Sequence, residues 1–79
     1  MNRAIVTFEY KNKSEAEVVL KMLDVDNKAA PKTLKIETIK KDNLVITTLE
    51  HEKTGTIFAT VDDLIFTERL VSGLVGEGK

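Results

Sequence analysis

The stretch 34–49 contains two runs rich in β-forming residues on either side of a short polar break with Asp42 and Asn43. In the first run Leu34, Ile36 and Thr38 alternate with Lys35, Glu37 and Ile39, and in the second Leu44, Ile46 and Thr48 alternate with Val45, Thr47 and Leu49. A period of two is typical of strands with one buried face, and Asp and Asn are common turn residues. The stretch therefore predicts two antiparallel strands joined as a hairpin. Residues 3–10 alternate in the same way and predict a further strand, one face of which carries Ala4, Val6, Phe8 and Tyr10.

A helix is predicted between the first strand and the hairpin, because polar capping residues precede apolar residues at helical spacing. Two pairs fit an N-cap residue followed three positions later by an acid: Asn12 with Glu15, and Ser14 with Glu17. We expect the helix to run from about Lys13 to about Val25 and to end near Asn27. Pro31 favours extended backbone at the residue before it, which separates the helix from the hairpin.

The last third of the chain admits two interpretations. The segment 56–61 is rich in β-branched residues, which favours a fourth strand. The apolar spacing over 57–75 instead favours one long helix capped by Thr56, although Glu68 interrupts its apolar stripe. With a helix here, the order is strand, helix, strand, strand, helix. That order predicts an α+β fold, β-α-β-β-α, with a three-stranded antiparallel sheet and two helices on one face.

The length of the chain limits how such a fold can be stabilised. Its 79 residues suffice for a single domain over residues 1–79. A domain of this size buries only about 60% of the surface that its unfolded chain exposes. There is no cysteine and a single histidine, His51, so neither a disulfide nor a thiolate or multi-histidine metal site is available. We therefore expect association with another chain to add stability.

Both predicted helices carry more apolar residues than contact with one sheet requires. In the first helix the main stripe is Ala16, Val19, Leu20 and Leu23, and a second, roughly opposite stripe is Val18, Met22 and Val25. In the second helix the two stripes are Ile57, Val61, Leu64 and Ile65, and Ala59, Phe66, Leu70 and Leu74. A second apolar face of the sheet is assigned to Ile5, Ile39, Val45 and Leu49. Exposed apolar patches usually mark interfaces, so the surplus predicts a homodimer contact and a separate contact with a different protein.

The charged residues give little support to nucleic-acid binding or catalysis. Lys and Arg total 12 against 13 Asp and Glu, whereas strong nucleic-acid binders carry a positive excess. Lysines are concentrated over 28–41, and the candidates for a nucleic-acid contact are Lys32, Lys40 and Lys41. The Asp62-Asp63 pair and His51 have no nucleophile or orienting partner nearby in the sequence, so we predict no catalytic residue, cofactor or metal.

Membrane association is not expected either. The N-terminal residues MNRAIVTFEY lack the apolar core of a signal peptide. No apolar run approaches the roughly 20 residues that span a bilayer. We therefore expect a soluble, cytoplasmic protein.

Five segments carry a family resemblance. They are Glu15-Ala16-Glu17-Val18-Val19, Leu23-Asp24-Val25-Asp26-Asn27, Ala30-Pro31, Leu34-Lys35-Ile36-Glu37-Thr38 and Ala59-Thr60-Val61-Asp62-Asp63-Leu64-Ile65. In this order and spacing they resemble the Pcc family, the small dimerisation subunit of the KEOPS (EKC) complex, in its archaeal form. The resemblance extends from about Ala4 to about Leu74, and it favours the helical interpretation of the last third.

The resemblance implies a dimer whose helices pack against the N-terminal helices of a catalytic threonylcarbamoyl transferase subunit. The KEOPS complex installs threonylcarbamoyl on adenosine 37 of tRNA, and the small subunit does no chemistry. The chain is thus expected to be a non-catalytic scaffold that meets tRNA only within the complex. The predicted partner-facing residues are Val18, Met22, Phe66 and Leu70. The second helix departs from the family pattern over 66–69, so a paralogue that forms a heterodimer with the usual subunit is a second interpretation.

Two functions of other classes remain as alternatives. The first is a small nucleic-acid-binding module that uses the lysines of 28–41, although no aromatic residue lies among them to stack on bases. The second is a transcription-linked adaptor, which only the identity of its partners would separate from the scaffold.

Overall fold

The fold, a computed structural model, follows the predicted order of elements. The structure describes residues 1–28 and 30–76, and the side chains of these residues except Asp26 and 72–76. The elements are β1 (Asn2–Glu9), α1 (Lys13–Lys28), β2 (Lys35–Lys41), β3 (Leu44–His51) and α2 (Thr54–Gly76). The α+β class and the β-α-β-β-α order are confirmed, and the last third of the chain is helix.

The sheet is antiparallel throughout and has β3 at its centre, in the order β1-β3-β2. The turn between β2 and β3 contains Asp42, whose φ of 57° lies in the left-handed region. Asn43 continues the pairing past the end of β1. Its carbonyl accepts a hydrogen bond from the Tyr10 amide (2.9 Å), and its side-chain amide donates one to the Tyr10 carbonyl (2.6 Å).

One face of the sheet is covered by both helices and holds the core. The buried apolar side chains are Ala16, Val19, Leu23, Leu34, Val45, Leu49, Ile57, Leu64 and Val71. The main stripe predicted for α1 supplies three of them, which confirms its orientation. Helix α1 packs over β2 and β3, whereas α2 packs over β1 and β3.

The opposite face of the sheet is open, and part of its predicted composition is wrong. Ile5 and Ile39 lie on it and are 62% and 51% exposed. Val45 and Leu49, which were assigned to the same face, are fully buried under the helices. The open face of β3 instead carries Leu44, Ile46 and Thr48. The pairing decides this, because Ile5 lies opposite Thr48 and Ile39 opposite Ile46.

The capping alternatives for α1 are resolved in favour of Asn12. The Asn12 Oδ1 accepts a hydrogen bond from the Glu15 amide at 2.9 Å, and a Glu15 carboxylate oxygen lies 3.4 Å from the Lys11 amide. Helix α1 continues to Lys28, about one turn beyond the expected end. Helix α2 begins at Thr54, two residues before the predicted cap, Thr56.

Glu68, which interrupts the apolar stripe of α2, has a specific partner. Its carboxylate is buried and accepts a hydrogen bond from the Tyr10 hydroxyl at 2.5 Å. Partial burial, together with the hydrogen bond and the negative charge of Glu68, raises the pKa of the Tyr10 hydroxyl far above its usual range. A buried carboxylate needs a donor, and Tyr10, the residue that follows β1, supplies it.

A second polar contact joins α1 to the sheet. The Asn27 side-chain amide donates to the Thr38 hydroxyl at 2.6 Å, and Thr38 shares a hydrogen bond of 2.9 Å with the fully buried Thr47. Each buried hydroxyl therefore has a partner, which fixes the end of α1 over β2 and β3.

Candidate interaction surfaces

The outer side of α1 is apolar. Val18, Met22 and Val25 are 44%, 50% and 68% exposed. At 100° per residue they project away from Ala16 and Leu23, which enter the core. The second stripe predicted from the sequence therefore exists as an exposed surface.

The outer side of α2 is apolar as well. Phe66 and Leu70 are 62% and 57% exposed and lie on the side opposite Ile57 and Leu64. Ala59 is exposed nearby, whereas the side chain of Leu74 lies outside the described residues. We call Val18, Met22, Val25, Phe66 and Leu70 the outer helical surface.

Phe58 is a further exposed aromatic residue, 68% exposed, which lies in neither of the apolar stripes predicted for the second helix. Thr60 and Asp63 of α2 line a groove shared with Asn27 of α1. Phe58 projects from roughly the opposite side of α2 at 100° per residue, so it faces away from α1. The exposed Asp62 lies one turn further along the same side of α2, so Phe58 does not begin an apolar stripe at helical spacing.

The groove has a volume of about 520 Å³ and lies between the end of α1, the start of β2 and the N-terminal half of α2. Leu34 and Ile36 form part of its apolar wall, and Thr56, Thr60 and Asp63 its polar side. Thr60 donates its hydroxyl hydrogen to the Thr56 carbonyl at 2.7 Å. The groove thus combines one exposed carboxylate with mostly apolar and hydroxyl groups, a set without an acid–base pair.

The open face of the sheet has a charged row at one end. Two guanidinium nitrogens of Arg3 lie 3.0 and 2.8 Å from one Glu50 oxygen, and Lys35 lies 3.5 Å from the other. The hydrogen bonds from Arg3 lower the pKa of Glu50, with a smaller contribution from Lys35 and against the effect of desolvation. The row crosses all three strands, because Glu50 pairs with Arg3 on one side and with Lys35 on the other.

The three lysines predicted to contact nucleic acid do not form one surface. Lys32 is exposed in the loop before β2, whereas Lys40 and Lys41 lie at the far end of that strand. Neighbouring residues of a strand point to opposite faces. Lys40 points to the helix side, where its ammonium lies 3.7 Å from Glu17, and Lys41 is exposed on the open face. A nucleic-acid contact made by these lysines therefore stays a prediction, and the three side chains do not share one surface that could make it together.

His51, Asp62 and Asp63 are the remaining polar residues considered as candidates for catalysis. His51 ends β3, and its Nδ1 accepts a hydrogen bond from the Lys53 amide at 2.9 Å just before α2 begins. Asp62 and Asp63 are exposed on α2. Over residues 1–28 and 30–76, no three His, Asp or Glu side chains come together as a metal site requires.

In the same ranges neither helix combines the length and the apolar character needed to cross a membrane.

Comparison with known proteins identifies the fold through structure rather than sequence. The sequence matches no known protein family, and it matches none of the curated proteins. Among solved structures, the chain is similar to one chain of the crystal structure of the binary complex Gon7-Pcc1, with a TM-score of 0.86. The match covers 99% of this chain and 96% of that chain at 10% sequence identity. The chain therefore shares its entire fold with a component of that complex.

Proposed function

We propose that this chain is a non-catalytic scaffold and dimerisation subunit of a KEOPS complex. In this role it supports threonylcarbamoylation of adenosine 37 in tRNA, and its helices bind the catalytic threonylcarbamoyl transferase subunit. The observation that carries the proposal is the outer helical surface. It lies on a fold that matches a chain of the Gon7-Pcc1 complex over almost its full length.

The composition of the outer helical surface suits a protein partner. Phe66 and Leu70 lie one turn apart on α2, and Val18 and Met22 lie one turn apart on α1. Full burial of such a side chain contributes about 1.5 to 3 kcal/mol. Because each is already partly buried, contact with a partner would gain about half of that. A few such side chains at the centre of an interface are enough to dominate its affinity.

The fold also separates this surface from the sheet. The outer helical surface projects from the two helices, while the open face and the free edges of the sheet lie elsewhere. A scaffold that dimerises and also binds an enzyme needs two such separate surfaces, and this chain offers them within one layer of helices and one layer of strands.

A capture experiment tests the proposal. The tagged chain is expressed in its native cell or together with the transferase, purified, and its partners are identified by mass spectrometry. We expect recovery of the transferase with the unaltered chain and at least tenfold less with Phe66→Asp. Phe58→Asp is the matched control, because Phe58 is on the same helix, is similarly exposed and lies outside the outer helical surface.

Two results would contradict the proposal. One is the absence of the transferase among the partners of the unaltered chain. The other is equal recovery with Phe66→Asp and the unaltered chain, since a carboxylate at the centre of an apolar contact leaves a charge unpaired and buried.

A further inference from the structure

The groove between the end of α1 and the N-terminal half of α2 has a negative charge. Among the described residues that line it, Asp63 is the only charged one. The lysines nearest to it in sequence have other carboxylates as partners. The Lys28 ammonium lies 3.6 Å from Asp24, and the Lys35 ammonium lies 3.5 Å from Glu50. The exposed Asp63 carboxylate is therefore complementary to a cation from another molecule.

The other polar groups of the groove offer hydrogen-bond acceptors. The Thr60 hydroxyl donates its hydrogen to the Thr56 carbonyl, which leaves the hydroxyl oxygen free to accept. The side-chain nitrogen of Asn27 donates to Thr38, and the oxygen of the same amide can accept. Together with the Asp63 carboxylate, these oxygens suit a ligand that carries several donors on one cationic group.

The rest of the groove suits a long aliphatic chain. Leu34 and Leu64 are almost fully buried beneath it, and Pro31 and Ile36 add apolar wall. Its volume of about 520 Å³ is enough for a large side chain. An arginine side chain combines an aliphatic stem, which packs on apolar surface, with a planar guanidinium that presents five N–H donors. Its weaker hydration makes it better suited than lysine to such a partly enclosed site.

The two helices that form the groove also favour a cation there. The groove lies at the C-terminal end of α1, which is the negative end of the helix dipole. The positive end of α2 is at Thr54, and Asp63 lies more than two turns further along that helix. The dipole effect decreases within the first turn, so it does not cancel the attraction of Asp63 for a positive charge.

The groove continues the outer helical surface along α2. Ale positions of Ala59 and Asp63 lie on the same side of α2 as Phe66 and Leu70, because all four recur every three or four residues. A protein that covers Phe66 and Leu70 would therefore reach the groove within about two turns of the helix.

We propose that the groove is a specificity pocket for one arginine side chain of the protein that covers the outer helical surface. The aliphatic stem packs against Leu34 and Ile36, and the guanidinium pairs with Asp63. The pocket rests on the proposed function for the identity of that protein, the transferase. It adds a charge-selective contact to a surface that is otherwise apolar, and so restricts which partners fit.

Binding of a short peptide to the isolated chain tests the pocket without the transferase. The probe is acetyl-Leu-Arg-Leu-amide, and the comparison peptide has citrulline in place of arginine. Citrulline keeps the shape of the side chain and replaces the charged guanidinium with a neutral urea. Titration followed by the backbone amide resonances in NMR should show weak binding of the arginine peptide, with shifts at Thr60 and Asp63. The citrulline peptide should bind at least about fivefold more weakly, as expected for loss of an exposed ion pair.

Asp63→Asn should weaken binding of the arginine peptide by a similar factor. Asp62→Asn is the matched control, because it makes the same change of charge at the next exposed position of α2 and lies outside the groove. Equal binding of the two peptides, an equal loss with Asp62→Asn, or no shift at Thr60 and Asp63 would overturn the pocket.

A steric variant tests the position of the pocket. Gly55 lines the groove, and a Cβ added there meets no atom within 4 Å. Gly55→Leu should fold, since leucine is a better helix former than glycine, and its side chain should obstruct the groove and abolish peptide binding. Gly55→Ala, which adds a single methyl group, should keep it. Undiminished binding to Gly55→Leu would contradict the assigned position.

Capture of the transferase separates the failure of this proposal from failure of the proposed function. Asp63→Arg should reduce capture at least tenfold relative to Asp62→Arg, because it places two like charges in the pocket. If both variants capture the transferase equally, the pocket is overturned and the proposed function stands. If the unaltered chain captures no transferase but discriminates between the two peptides, the proposed function fails and the arginine pocket stands.

Discussion

At the scale of single residues, the contact between Tyr10 and Glu68 holds the end of β1 against α2. The two residues are 58 positions apart in sequence, and the hydroxyl–carboxylate distance is 2.5 Å. Nothing in the sequence marks them as partners, so Glu68 looked only like a break in an apolar stripe. The buried carboxylate and its single phenol donor form a unit in which each group depends on the other.

Replacement of Tyr10 by Phe should lower the free energy of unfolding by about 1 to 2 kcal/mol, because it leaves the Glu68 carboxylate without its donor. Chemical denaturation of Tyr10→Phe, and of Tyr10→Phe with Glu68→Met, measures this. The double variant removes both polar groups and should recover part of the loss. No recovery would show that the contact contributes through packing and not through the hydrogen bond.

The Tyr10 hydroxyl should also titrate at unusually high pH. Its pKa is raised in the folded protein, so above pH about 10 the unfolded chain loses a proton that the folded chain keeps. Stability must therefore fall as the pH rises above about 10. Tyr10 is the only tyrosine and there is no tryptophan, so absorbance at about 295 nm reports this group alone. We expect a higher midpoint in buffer than in denaturant, and Tyr10→Phe should lose this part of the pH dependence.

At the scale of elements, the sequence predicts the position of the two strands of the β2–β3 hairpin but not which face of β3 is buried. Its alternation and its Asp-Asn turn identify two strands. In β3, however, both faces are equally apolar: Leu44, Ile46 and Thr48 on one, Val45, Thr47 and Leu49 on the other. Periodicity cannot choose between two such faces, and the helices that cover one of them decide the matter. The assignment of Val45 and Leu49 to the open face failed for this reason.

The hairpin turn should be sensitive to the residue at position 42. Asp42 has a φ of 57°, which Asn and Gly tolerate and β-branched residues do not. We expect Asp42→Val to lower the free energy of unfolding by about 1 to 2 kcal/mol relative to Asp42→Gly. Asp42→Asn should change it little, because the exposed contact with Lys13 at 3.8 Å contributes little. Urea denaturation measures all three variants, and equal midpoints for Val and Gly would contradict the assigned turn.

The interaction surfaces were only partly visible from the sequence. The outer stripes of both helices follow from helical spacing, because their members recur every three or four residues. Phe58 does not belong to such a stripe, and its significance depends on which side of α2 faces α1. Likewise the three candidate lysines are close in sequence, but the alternation of β2 sends two of them to opposite faces.

At the scale of the whole molecule, the fold has a layer of helices, which carries the outer helical surface, and a layer of strands, one face of which is open. In the proposed role the outer helical surface binds the enzyme. A symmetric dimer in that role would carry two equal enzyme-binding surfaces.

Stability should consequently depend on protein concentration. Because a second copy binds only the folded chain, mass action raises the melting temperature as concentration increases. Phe66→Asp, on the outer helical surface, should keep this dependence, because that surface is assigned to the enzyme. Thermal unfolding followed by circular dichroism over a hundredfold range of concentration measures the effect, and a melting temperature independent of concentration would argue against a dimer.

The central position of β3 has a consequence for the order of folding. The β2–β3 hairpin pairs residues that are close in sequence, whereas β1 reaches its place only when Asn2 meets His51. Closing that long loop costs more chain entropy than closing the hairpin, so β1 should dock after the hairpin has formed. During synthesis, the N-terminal strand must then wait until β3 has been made. The sheet thus becomes complete late, only after both strands of the hairpin have been synthesised and paired.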